Sequence, residues 1–69
     1  MIELIRKAKE NLQSGDIKAI ADKSGIPYQT IYKVLNGEKS TKQTEIIKAV
    51  ADFLQERKNE LARLESVLN

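Results

Sequence analysis

A glutamine and a lysine four residues apart, Gln29 and Lys33, sit among Tyr28, Tyr32 and Asn36 in a stretch whose remaining bulk is Ile31, Val34 and Leu35. On a helix this spacing projects Gln29 and Lys33 from one side. The tyrosines and Asn36 continue that face, and the aliphatic residues turn away from it. The chemistry on offer is hydrogen bonding without proton transfer. A glutamine amide bridges adenine N6 and N7, a lysine ammonium donates to guanine O6 and N7, and a tyrosine meets a thymine methyl or a phosphate. Thr30 on one flank and Lys39, Ser40, Thr41 and Lys42 on the other add hydroxyls and cations suited to phosphate oxygens. Free N–H groups would help if a helix begins at that second flank. Two alternatives stay open: Tyr32 packing as partial core, and Ser40 acting as a plain helix cap.

The rest of the composition narrows the field by exclusion. The 69 residues include no cysteine and no histidine, which removes thiolate nucleophiles, disulfides and the common zinc ligands. There is no phosphate-cradling glycine loop, and the carboxylates are scattered with no sign of burial to shift them. No catalytic residue, metal, cofactor or small-molecule ligand is therefore expected, and the chain does not read as an enzyme. No apolar run approaches a signal core or a membrane span, so a cytoplasmic, nucleoid-associated protein is expected. Charged residues are 32% of the chain, yet the net charge is only +2, a balance that speaks for solubility alone. Distribution is more informative. Between Lys23 and Lys48 the five lysines 23, 33, 39, 42 and 48 face Glu38 and Glu45, for a local +3, while Ala49 to Asn69 carries −1.

The elements that must position these groups are helical throughout, because one proline, three glycines and no alternating β-branched run leave no other regular structure. The expected architecture is an all-α, four-helix domain over residues 1–69, with a helix-turn-helix in helices 2 and 3 and a long C-terminal helix. Ile2, Ile5, Ala8 and Leu12 mark one stripe of a first helix over residues 2–13. Asp16 is placed to cap the second, whose inner side is Ile17, Ile20 and Ala21 and whose stop is Gly25. Pro27 opens the third, with Ile31, Val34 and Leu35 inward and Gly37 as the next stop. Ser40 and Gln43 have the spacing of a capping box for a last helix reaching Leu68.

The join between the second and third helices is the most specific signal. A steep helix crossing needs a small residue at the contact, a residue tolerant of positive φ in the turn, and apolar plugs at the corner. Ala21, Gly25 and the trio Ile26, Ile31 and Val34 occupy those places. The stretch from Ile17 to Asn36 resembles the helix-turn-helix of the lac repressor family, most closely in Gly-Ile-Pro-Tyr-Gln-Thr-Ile and the final Asn36, and more weakly through Ser40 and Lys42 to Thr44. The resemblance implies that Tyr28, Gln29 and Lys33 read bases and that the start of the following helix meets phosphates. The chain departs from that family in placing a full helix ahead of the motif and in having Pro27 where a small capping residue is usual. The leading helix is more similar to the lambda-repressor-like architecture of Cro and phage repressors.

In the last helix, Ile47, Val50, Leu54, Arg57, Leu61, Leu64 and Leu68 alternate spacings of three and four, a heptad seam interrupted at Arg57. Ile46, Ile47, Val50 and Phe53 are expected to close the chain's own core. Leu54, Arg57, Leu61, Leu64 and Leu68, within residues 54–69, are expected to pair as a coiled coil in a homodimer; the alternative is a tail folded back on the first helix. The reading from sequence is a regulator of transcription that binds double-stranded DNA as a homodimer, most simply a repressor on an inverted-repeat operator. The competing reading is a protein-interaction module, such as an antirepressor, antitoxin or phage adaptor, acting through the last helix.

Overall fold

The computed structural model describes residues 2–69, with side chains from residue 3 onward, so the Ile2 side chain of the expected first stripe lies outside the described residues. Four helices follow in order: α1 (Ile2–Asn11), α2 (Asp16–Ser24), α3 (Tyr28–Leu35) and α4 (Gln43–Leu68). Ile20, Ile31, Val34, Leu35, Ile46 and Val50 form the buried cluster, and Ile5 of α1 is buried as well. Each inner residue expected from the periodicity of α3 is therefore in the core. Ala8, Leu12, Ile17, Ala21 and Phe53 pack around it, half-buried.

Two helix ends follow the glycines. Gly25, at φ 75°, donates its N–H to the Ala21 carbonyl at 3.0 Å and stops α2. Gly37, at φ 91°, donates to Val34, and Glu38 donates to Lys33, both at 3.0 Å. That doubled closure satisfies carbonyls that the end of α3 would otherwise leave unpaired.

Three helix starts differ from the expectation. Gly15, at φ 87°, is the cap of α2, while Asp16 is its first residue and reaches backwards, accepting the Gln13 N–H at 2.6 Å. Pro27 precedes α3 instead of forming its first turn: at ψ 140° it is extended, and its carbonyl accepts the N–H groups of Thr30 and Ile31 at 3.0 and 3.2 Å. The capping box at Ser40 and Gln43 does not form. Ser40 closes a turn before the helix, its Oγ accepting the Lys42 N–H at 3.1 Å, so Gln43 is the first helical residue and not the third.

The 26 residues of α4 give about 39 Å at 1.5 Å per residue, in a molecule 44 Å long. Its first half completes the core. The expected seam changes character at Arg57, whose guanidinium turns into its own subunit to pair with the Asp16 carboxylate and lies 4.9 Å from the Phe53 ring centre. Its Nη1 is buried without a partner. Leu54 also packs against the core. From Lys58 onward every residue is exposed, so the tail does not fold back on α1.

The Arg57 hydrogen bond holds the Asp16 carboxyl below its ordinary value of 3.8, against the opposing effect of burial. A carboxylate with a lowered folded pKa contributes stability that is present above the unfolded value and lost as pH falls through the folded one. Asp16→Asn should therefore cost about 1.5–3 kcal/mol at neutral pH, the range for a hydrogen bond to a charged group. The difference from wild type should shrink below about pH 4. Denaturant titrations at pH 7 and pH 3 check this; an equal deficit at both would deny the charge any role.

Candidate nucleic-acid interface

The outer face of α3 is set by what lies beneath it. Ile31, Val34 and Leu35 are 0–3% exposed, which fixes the rotation of the helix and leaves Tyr28, Gln29, Tyr32 and Lys33 outside. Tyr28 and Tyr32 are 45% and 48% exposed, their rings stacked at 6.3 Å between centres and 12° between planes. Tyr32 is thus not taken into the core. Gln29 and Lys33 make no side-chain hydrogen bond or salt bridge among those found for the described residues, so both ends are available to a ligand. Thr30 is half-buried.

Asn36 stands differently. Its Oδ1 accepts the Lys9 ammonium at 2.8 Å and its Nδ2 donates to the Tyr32 carbonyl at 3.0 Å, so the amide closes the end of α3 and docks α1 against it. Lys39, Thr41 and Lys42 are exposed on the segment that leaves α3, while Ser40 is half-buried in its turn.

Two cations that the spacing did not reveal lie at the ends of this face. Lys9 comes from α1 to Asn36, 27 residues away in sequence. Lys18 of α2 shares a shallow groove with Tyr28 and Pro27. No local pattern could have found Lys9, because its partner is on another helix. Conversely, Lys23, counted in the basic middle segment, is bound to Glu56 at 2.9 Å beside Phe53. Lys9, Lys18 and Lys33 bring positive charge to α3, and Lys39 and Lys42 are exposed on the segment that follows it. Among the described residues no cluster of three or more acidic side chains could hold a metal ion.

Comparison with known families decides what this arrangement is. A family model described as helix-turn-helix matches residues 2–61. The chain belongs to the helix-turn-helix family, of the Cro and lambda-repressor-like type. No curated protein and no solved structure matches it. The match starts in α1, so the leading helix that sets this chain apart from a lac-type headpiece is part of the helix-turn-helix domain itself. It stops at Leu61, short of the end of α4. As a member of this family the helix-turn-helix protein is a DNA-binding regulator of transcription. Among the described residues no helix is long and apolar enough to cross a membrane.

Proposed function

We propose that this helix-turn-helix protein reads a specific DNA sequence as a homodimer and represses transcription by occupying an inverted-repeat operator. The observation that carries the reading is the outer face of α3, where Tyr28, Gln29, Tyr32 and Lys33 are exposed on a helix whose other side is wholly buried. A helix so anchored presents its polar face to the major groove as a rigid unit, with Gln29 and Lys33 toward base edges and the tyrosines toward methyl groups or phosphates. Lys39, Thr41 and Lys42, with the half-buried Thr30 and Ser40, hold the register through phosphates, while Asn36, engaged by Lys9 and the Tyr32 carbonyl, fixes the end of the reading helix. Two-fold symmetry doubles each contact and makes the target an inverted repeat.

Selection of bound duplexes from a random pool at about 50 and 200 mM salt tests this. An inverted repeat should be enriched. If Lys39 and Lys42 of both subunits neutralise phosphates, affinity should fall roughly a hundredfold between the two salts.

One observation favours a second reading, a protein-interaction module: Leu61, Leu64 and Leu68 of α4 are 54%, 42% and 85% exposed. No enriched sequence at either salt, with association through α4 indifferent to salt, would support that reading and remove the first.

A further inference from the structure

The last turns of α4 carry Leu61, Leu64, Val67 and Leu68 as an exposed apolar stripe that no other described residue of the chain covers. Its charged borders are unequal. Glu60, on one side, is bound to Arg63 of its own helix. Lys58 and Glu65 are seven residues apart and so share the other side; neither joins a salt bridge among the described residues.

We propose that this stripe pairs with the stripe of a second copy running antiparallel, Leu61 opposite the partner's Leu64, with Lys58 against the partner's Glu65 twice by symmetry. The inference rests on the homodimer reading and gives it an orientation.

Charge is the first reason. In a parallel pair the flanking residues meet at an offset of five, which would set Glu60 against the partner's Glu65, two repulsive contacts. In an antiparallel pair like flanks meet. The register of Leu61 opposite Leu64 then brings Lys58 and Glu65 within reach of each other, so the only two unpaired charges on that border satisfy one another.

Room is the second reason. At the level of Arg57 the stripe is already covered, because the turn between α1 and α2 sends Asp16 to that guanidinium. A parallel partner would bring its own globular head to the same level and the same face. An antiparallel partner brings Leu68 there, beside the shallow groove that Asn11, Gln13, Leu54 and Lys58 line. The two heads then lie at opposite ends of the pair. Val50 of one copy stands about 38 Å along the seam from Val50 of the other at 1.5 Å per residue. That is the scale of the roughly 34–36 Å between half-sites one DNA turn apart.

Sedimentation equilibrium of the full chain, as wild type, Lys58→Glu, Glu65→Lys and the double exchange, provides the test. Neither position has a charged residue three or four away on its own helix; Glu65 does lie in the last turn of α4, where a lysine complements the helix dipole, so the helicity of each variant is measured beside its association by circular dichroism. Each single reversal should weaken dimerisation about fivefold, and the double exchange should return it to within about twofold of wild type. The sign for Glu65→Lys decides orientation, since in a parallel pair the introduced ammonium would meet the partner's Glu60 and tighten the dimer. Tightening, or dimers indifferent to all three changes, overturns the antiparallel arrangement while leaving the homodimer standing. A wild type that is monomeric at every concentration overturns both and gives the stripe to a different protein.

Discussion

Gln29→Ala combined with Lys33→Ala should bring operator binding down to the level of random DNA while the protein stays folded. Both side chains are exposed and neither supports the core, so unfolding curves should move by no more than a few tenths of a kcal/mol. Each well-made contact to a base edge is worth about 1–3 kcal/mol of discrimination, and two residues in each of two half-sites multiply that figure. The gap between specific and random binding is itself about 4–10 kcal/mol, so losing four contacts can close it. The single variants should separate. Lys33→Ala and Gln29→Ala should each relax the one base position that the side chain reads, at different places in the half-site, and both should leave the salt slope, which the phosphate contacts of Lys39 and Lys42 set, nearly unchanged. Titration of operator and scrambled duplexes at several salts measures both. Unchanged discrimination in the double variant would move the reading surface off α3.

The largest expected effect on the fold is at Ile31. It is fully buried in the cluster that it forms with Ile20 of α2, Val34 and Leu35 of its own helix, and Ile46 and Val50 of α4, a core drawn from three of the four helices. Ile31→Ala removes three carbons from a packed site and should cost about 2–5 kcal/mol, against roughly 3–10 kcal/mol expected in total for a domain of this size. Ile31→Val should cost only about 0.5–1.5 kcal/mol. Urea unfolding of the three proteins gives the comparison. DNA binding by the alanine variant should fall in proportion to its unfolded fraction. A loss below 1 kcal/mol would mean that α3 is held by something other than its buried face.

Much of this architecture is legible in the sequence because its signals are local. Gly25 and Gly37 punctuate helices by their positive φ, and Ile31, Val34 and Leu35 fix which side of α3 turns inward, which in turn leaves Tyr28, Gln29, Tyr32 and Lys33 outward. What escapes a local reading is set by distant partners. Asp16 has the residue type of a cap, but Arg57, 41 positions on, competes for its carboxylate, and the helix takes Gly15 as its cap instead. Arg57 occupies a seam position by spacing and still turns inward for the same reason. Asn36 belongs to the outer face by period, yet Lys9 and the Tyr32 carbonyl occupy both ends of its amide. Ser40 and Gln43 have the right interval for a capping box; the turn that Ser40 makes with Lys42 delays the helix and leaves Gln43 too early to reach back.

The stacked pair of Tyr28 and Tyr32 also determines how the molecule looks to light. The chain has no tryptophan and two tyrosines, both on the outer face of α3, and its single phenylalanine, Phe53, absorbs far more weakly. Near-ultraviolet absorbance and emission therefore arise almost wholly from one side of one helix, so the unlabelled protein carries its own optical probe at the surface proposed to touch DNA, and that probe is blind to events at the far end of α4.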